Sequence, residues 1–287
     1  MRSEQDQCEG SCFTYWTFLN ALFIDFYQEG RMVAMIVYEK EESFILIAQH
    51  DHARVSGDLV SAWKDDLFSS SSRREEFIYA AYQHDSSWID LDRMPLWNDA
   101  ANCPFSFRDF PGNIRFFFYS KGLDHVQQTS EYAALLGSIL YTTLAEKFRN
   151  EDTIPFVERE FARQSAIIER LQTDVKLLQM HAKALLLCDE LSLFVCMEQP
   201  GTPREKYEWF ANGFTYWFDR SEQTTLIADW KDQRTVELYP FPFRRNVETT
   251  VPFKEVRKQD IARYGISEAY QREPFREYKL LFQEKRN

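Results

Sequence analysis

Two adjacent residues that can both carry charge, His84 and Asp85, stand at the end of a stretch whose pattern predicts an amphipathic helix. Phe77, Ala80 and Ala81 fall on the same helical stripe as His84, because residues three or four apart share a face. The pattern therefore predicts that both polar groups point towards the core. Burial of such groups costs free energy unless something pairs with them, and a divalent metal ion is one such partner.

Two other stretches place an ionisable side chain among apolar neighbours in the same way. On a helix, His52 shares a stripe with Leu59, so it faces inward. Asp189 stands in the most apolar stretch of the chain, where a carboxylate needs a partner. With the His-Asp pair they supply two imidazoles and two carboxylates. That donor set suits Mn, Fe, Ni, Co or Zn better than a metal that prefers thiolates.

A metal held by three or four such side chains keeps positions for water, and the bound water becomes a nucleophile near neutral pH. Asp85 is a candidate proton acceptor in that reaction. Arg54 lies in the same predicted helix as the first histidine and is a candidate contact for a phosphate group. Asp85 and Arg54 are therefore the predicted catalytic residues.

Each of these residues also has an alternative that involves no ligand. His52 would be a core histidine with its hydrogen bonds satisfied, or an N-terminal helix cap. Asp58 lies one turn after Arg54, and that spacing favours a surface ion pair between them. His84 and Asp85 would cap the helix end, where a protonated imidazole suits the helix dipole. Asp189 would pair with Arg54 or with a buried lysine. The sequence leaves these alternatives open.

The elements that must position these residues are predicted to be mostly helical. Helical patterns cover 51–67, 73–84, 113–128, 130–149, 155–173 and 175–198. Short strands are predicted at 35–38, 44–48, 225–230, 235–239 and 277–282, and prolines interrupt the last part of the chain. We therefore predict a mainly α fold, with a helical core and a small antiparallel sheet built from both ends of a single domain, 35–287.

The long segment 86–112 follows the His-Asp pair directly and holds several aromatic residues and three prolines. Long loops in compact domains usually serve function, so we predict that its part from Trp88 to Pro111 closes over the site as a lid. The alternative is that its aromatic side chains complete the core.

Composition excludes several classes of partner. The net charge of −11 disfavours nucleic acid, and no glycine-rich phosphate loop occurs. The apolar stretch 13–27 is too short and too polar to span a bilayer, so no membrane partner is expected. Five scattered cysteines make no disulfide framework and favour the reducing cytoplasm.

Residues 1–34 differ in character from the rest of the chain. The sequence Gln28-Glu29-Gly30-Arg31 precedes Met32 and Met35. Purine-rich codons for Gln-Glu-Gly can form the sequence of a bacterial ribosome-binding site. We predict that translation starts naturally at Met32 or Met35. The alternative is a genuine aromatic helix that packs on the domain.

Several motifs occur in a fixed order along the chain. They are Met35-Ile-Val, Asp51-His52-Ala-Arg54, Gly57, Trp63, His84-Asp85-x-x-Trp88 and Asp189-x-Leu-Ser-Leu193. In this order they resemble an uncharacterised bacterial family, a domain of unknown function, from residue 35 to the C-terminus. The order His…His-Asp…Asp on successive helices also resembles the HD superfamily of metal-dependent phosphohydrolases. That resemblance implies an HD-like helical core and the metal ligands His52, His84, Asp85 and Asp189.

The chain departs from many HD enzymes in one respect. Between the His-Asp pair and the last aspartate it carries only His125 and His181, which argues against a second metal. The predicted function is a metal-dependent hydrolase of a small phosphorylated molecule. The alternative is a non-catalytic ligand-binding or regulatory protein on a degenerate HD-like scaffold, which the scarcity of basic residues near the motifs favours.

Overall fold

The computed structural model describes residues 35–64, 73–146, 151–217 and 223–286 of the 287-residue chain. The predictions about the segment 1–34 therefore lie outside the described residues. None of the helices in the described ranges has the length and apolar character needed to cross a membrane.

Strands from both ends of the chain form one large sheet. They are β1 (Ile36–Glu39), β2 (Ser43–Ile47), β5 (Phe214–Trp217), β6 (Gln223–Trp230), β7 (Thr235–Tyr239), β8 (Val247–Arg257) and β9 (Arg276–Glu284). The seven strands lie in the order β1-β2-β8-β9-β7-β6-β5, and the sheet curls into a half-barrel. β7 and β9 run parallel, whereas the other neighbouring strands are antiparallel.

The predicted fold class, mainly α with an HD-like helical core and a small antiparallel sheet, is therefore wrong. The fold is α/β, because the sheet is large and includes a parallel pair. The longest strand of the sheet, β8, was not predicted from the sequence. Pro252 lies inside it, and proline is normally excluded from central strands. In the sheet Pro252 lies opposite Glu277 of β9.

The helices lie close to where the periodicity placed them, with additional short elements. They are α1 (Gln49–Ser61), α2 (Arg74–Gln83), α3 (Ile89–Asp92), α4 (Gly112–Thr129), α5 (Glu131–Glu146), α6 (Thr153–Leu171), α7 (Val175–Cys196), α8 (Lys258–Tyr264) and α9 (Ile266–Arg272). A 3₁₀ turn (Ser86–Trp88) follows α2, and a small hairpin joins β3 (Trp97–Asn98) to β4 (Cys103–Pro104).

Three of these helices bring the predicted site residues together. The long apolar helix α7 begins at Asp174, whose carboxylate accepts the N–H groups of Lys176 and Leu177 as an N-cap. Helix α1 packs against α7 on one side and α2 on the other. Gly57 lets α1 and α2 approach closely, because a Cβ at this position would meet the ring of Tyr82. Side chains from all three helices can therefore meet in one place.

The segment 86–112 contains regular structure, and two of its aromatic residues belong to the core. Trp88 and Phe110 are buried, with ring centroids 6.3 Å apart. The indole of Trp88 also packs edge-on against Tyr119 of α4, at 5.4 Å. These side chains form part of the core, as in the alternative to the lid. Movement of the rest of the segment as a lid stays a prediction.

Candidate metal centre

The four predicted ligands lie together in the interior. His52 is carried by α1, His84 and Asp85 directly follow α2, and Asp189 is carried by α7. One ligand atom from each lies within 4.8 Å of the others, and all four residues are buried. The prediction that these side chains converge is confirmed. They could hold a metal ion, and binding of one stays a prediction.

Each imidazole faces both carboxylates through its Nε2 atom. His52 Nε2 lies 2.7 Å from Asp85 Oδ2 and 3.9 Å from Asp189 Oδ1. His84 Nε2 lies 3.1 Å from Asp189 Oδ1 and 3.7 Å from Asp85 Oδ2. The two rings are perpendicular, with centroids 5.3 Å apart, so the four donor atoms surround a common centre.

The outer nitrogen of His84 is held by the backbone. Its Nδ1 lies 2.8 Å from the carbonyl oxygen of Ala81. Because a carbonyl oxygen only accepts, Nδ1 carries a hydrogen and donates it. The lone pair of a neutral His84 therefore lies on Nε2 and points at the carboxylates.

A chain of buried serines fixes His52 in the same way. Its Nδ1 lies 2.6 Å from Ser192 Oγ, and that hydroxyl donates to the carbonyl oxygen of Asp189 at 2.7 Å. Ser56 Oγ lies 3.0 Å from Ser192 Oγ and 3.1 Å from the carbonyl oxygen of Cys188. Since the one hydrogen of Ser192 is used, its oxygen accepts from His52 Nδ1–H.

The sequence analysis predicted no role for Ser56 or Ser192. Ser192 lies three residues after Asp189 and thus on the same face of α7, which is the sequence pattern that could have identified it. A buried serine within an apolar helix needs an acceptor, and here the acceptor is the helix backbone one turn back.

Tyr141 of α5 orders the turn that carries the His-Asp pair. Its hydroxyl donates to the backbone oxygen of His84 at 2.5 Å, and it lies 3.0 Å from Ser87 Oγ and 3.4 Å from Asp85 Oδ1. The sequence analysis did not identify Tyr141. Its separation of more than fifty residues from this turn gave no indication of the contact.

The charges in the cluster shift two pKa values in opposite directions. Burial alone would lower the pKa of His84, but the negative charges of Asp85 and Asp189 and the hydrogen bond to Ala81 raise it to about 9. Burial alone would raise the pKa of Asp85, but the charge of His84 and the hydrogen bond from His52 lower it. Without a metal, a proton on His84 therefore holds the carboxylates together at neutral pH.

The donor set and its spacing fit a divalent transition metal. Ligand atoms at about 2.1 Å from a metal lie about 3.0 Å apart at adjacent octahedral positions and about 3.4 Å apart at tetrahedral ones. The four N–O separations run from 2.7 to 3.9 Å, so small shifts would admit an ion. Among the described residues, no lysine or arginine pairs with Asp85 or Asp189.

The cluster opens towards solvent on its carboxylate side. The side chains of Asp85 and Asp189 are 12% and 8% exposed, whereas both imidazoles are 1% exposed. Water or a substrate would therefore approach from the side of the aspartates.

Arg54 lies apart from the cluster. It is exposed on α1, two residues after His52. Its expected surface partner, Asp58, accepts hydrogen bonds from Tyr82 at 2.7 Å and from Thr249 at 2.6 Å. A contact between Arg54 and a substrate stays a prediction.

Residues 35–258 match the model of a family described as "Protein of unknown function (DUF3891)". The match covers most of the chain, so the chain belongs to this family, and the resemblance to an uncharacterised family is confirmed. Neither the curated proteins nor the solved structures gave a match. The likeness to HD phosphohydrolases thus remains an interpretation of the motifs.

Proposed function

We propose that the protein is a metal-dependent hydrolase of a small phosphorylated molecule. The proposal rests on the site itself, because membership of this family assigns no activity. His52, His84, Asp85 and Asp189 would hold one divalent transition metal ion, of the Mn, Fe, Ni, Co or Zn class. Such an ion polarises a phosphoryl oxygen and makes a coordinated water nucleophilic near neutral pH.

The observation that carries this proposal is the orientation of the two histidines. Both donate Nδ1–H outward, to Ala81 and to Ser192, and both aim Nε2 at the carboxylates. Ligating histidines in metal sites are held in this manner, with the outer N–H bonded to a protein acceptor. Two neutral imidazoles in this position would place lone pairs against carboxylate oxygens, so a cation between them removes a repulsion.

Asp85 is the residue best placed to move a proton. Only one of its oxygens, Oδ2, bonds to His52, and Oδ1 lies near the hydroxyl of Tyr141. With one carboxylate oxygen at the ion and the other beside a hydroxyl, Asp85 can orient a water molecule and accept its proton.

The charge of the chain supports a small substrate. The net charge of −11 opposes binding of long polyanions, whereas a single phosphate group can be balanced by the ion. The described cysteines, Cys103, Cys188 and Cys196, are free thiols, which supports a reducing, cytoplasmic setting.

A second candidate function is a non-catalytic ligand-binding or regulatory protein. The scarcity of cations favours it: among the described residues, only histidines form ion pairs with the two aspartates, and Arg54 is exposed. Phosphoryl transfer normally needs positive charge around the transferred group.

Metal analysis and a phosphatase panel test both candidates. We expect about one metal ion per purified chain, as one four-ligand site holds, and hydrolysis of p-nitrophenyl phosphate or nucleoside monophosphates with Mn²⁺, Ni²⁺ or Zn²⁺. Asp85→Asn should lose at least about 100-fold in rate. The matched control is Asp58→Asn, which changes an aspartate of α1 outside the cluster and should retain activity.

The outcomes separate the two functions. Metal at background level, with no effect of chelator on stability, overturns the metal centre. One bound metal without turnover of any phosphate ester overturns the hydrolase and favours the regulatory protein.

A further inference from the structure

A buried positive charge on α4 lies outside the His/Asp cluster. Arg115, in the first turn of α4, is 6% exposed, and its Nε and Nη1 atoms have no hydrogen-bond acceptor within the described parts of the chain. Arginine keeps its positive charge in proteins. A buried guanidinium is normally paired, so this one lacks an anion.

The surroundings of Arg115 are aromatic. Its Cζ atom lies 5.0 Å from the ring centroid of Phe116, and Phe116 packs with Trp88 and Tyr119 in one cluster. No ion pair joins Arg115 to an acidic side chain of the described ranges. A cation–π contact offsets only part of the cost of burying a guanidinium.

Tyr119 connects this cation with the metal centre. Its ring stacks on Tyr141, with centroids 3.8 Å apart, and the hydroxyl of Tyr141 reaches Asp85. Burial raises the pKa of Tyr119, the charge of Arg115 lowers it, and the charges of Asp85 and Asp189 raise it. The phenol therefore lies within electrostatic range of the cation and of both carboxylates.

We propose that Arg115 is an anion-binding residue and that its guanidinium binds a phosphate group, at a site that Tyr119 and Tyr141 link to the His/Asp cluster. Planar guanidinium groups bind phosphate oxygens through paired hydrogen bonds, from Nε with Nη2 or from Nη1 with Nη2. Each of these two edges of Arg115 includes one donor that lacks an acceptor, Nε or Nη1. The choice of phosphate rests on the proposed hydrolase.

Binding of inorganic phosphate to the purified, metal-containing protein tests this proposal. We expect Arg115→Met, which keeps an apolar side chain of similar length, to weaken phosphate binding at least tenfold by calorimetry. Arg115→Lys retains the charge and should restore part of the affinity. The matched control is Arg170→Met, because Arg170 is half exposed and paired with Glu131; its phosphate affinity and its metal content should equal those of the wild type.

Stability distinguishes anion binding from a structural role. In phosphate-free buffer Arg115→Met should unfold at the same temperature as the wild type or higher, because it removes an unpaired buried charge. Saturating phosphate should then raise the melting temperature of the wild type by about 5 °C and that of Arg115→Met by much less. A variant that is equally destabilised with and without phosphate, or that binds phosphate as the wild type does, overturns the proposal.

Failure of this inference and failure of the hydrolase are separable. Arg115-dependent phosphate binding without turnover of p-nitrophenyl phosphate would overturn the hydrolase and leave the anion site standing. Turnover combined with unchanged phosphate affinity in Arg115→Met would do the reverse.

Discussion

Two regions of the molecule bury carboxylates beside basic side chains, and they neutralise them differently. Between α5 and α6, Glu160 is fully buried and lies 2.8 Å from the Nε atom of Arg163. It also accepts a hydrogen bond from Ser138, to which Gln164 donates in turn. In the His/Asp cluster the only ion-pair partners of Asp85 and Asp189, among the described residues, are imidazoles.

This difference decides what each region can do. Arginine is charged at every accessible pH, so the Glu160 network is complete without a ligand. An imidazole balances a carboxylate only while it holds a proton, and a metal ion can take the place of that proton. A buried carboxylate thus becomes a candidate metal ligand when its partners can give up their charge.

Glu160→Gln should give the largest loss of stability. The substitution removes the buried carboxylate of Arg163, whose side chain is 13% exposed, and leaves it only the exposed carboxylate of Asp124. Breaking such a pair costs about 3 kcal/mol. Urea unfolding should show this loss equally with and without chelator. A loss below about 1 kcal/mol, the range of exposed pairs, would contradict the description of this network as structural.

The sequence predicted the cluster better than the fold. His52, His84, Asp85 and Asp189 could be found because each is an ionisable residue on an apolar helical stripe, and that property is local. The roles of Ser192 and Tyr141 needed the directions of hydrogen bonds and a contact between distant elements, which no periodicity contains.

The sheet was underestimated for equally physical reasons. The long strand β8 was not predicted, because it contains Pro252. The pairing of β7 with β9 joins two segments whose sequences each predict only an isolated short strand. Strand pairing depends on long-range contacts and on burial from both faces, so sequence propensity describes it poorly. Helix positions were predicted closely, because a helix satisfies its backbone within one segment.

The chelated protein should lose stability as the pH rises. The folded pKa of His84 is about 9, against about 6.5 in an unfolded chain. A raised pKa stabilises the fold fully below pH 6.5, and this contribution is lost as the pH rises through 9, a fall of about 3 kcal/mol. The metal-loaded protein should show no such fall, because its Nε2 atom binds the ion.

His84→Asn is the control for this pH dependence. After chelation it should lack the fall between pH 6.5 and 9 that the wild type shows. A separate fall between about pH 4 and 7 belongs to Asp92, because burial raises its pKa to about 7. An equal slope in chelated His84→Asn and chelated wild type would contradict the assignment.

Ser192→Ala should weaken metal binding without abolishing it. It removes the acceptor of His52 Nδ1–H without removing a ligand, and loss of such an outer partner costs about tenfold to 100-fold in metal affinity. Competition with a fluorescent zinc chelator measures the change. Ser138→Ala, the equivalent deletion beside Glu160, should leave metal affinity unchanged; an equal effect of both would show that the loss comes from general destabilisation.

Asp189→Leu should have the smallest effect on the stability of the chelated protein at pH 7. The protonated His84 would still face Asp85 at 3.7 Å, so no charge is left unpaired and one of two repelling carboxylates is gone. We expect a change below about 1 kcal/mol in either direction, in contrast to the buried pair at Glu160.

Bound metal should make the wild type more stable than Asp189→Leu. At a free concentration one hundred times its Kd, the ion stabilises the wild type by about 2.7 kcal/mol and leaves Asp189→Leu unchanged. Melting curves of both proteins, each with metal and with chelator, measure the four stabilities. If chelator leaves the wild type unaffected and Asp189→Leu costs as much as Glu160→Gln, then the two regions are alike and the cluster is a second structural network. A difference that appears only with metal shows instead that an ion displaces protons from the imidazoles into solvent. The guanidinium of Arg163 stays protonated and cannot make this exchange.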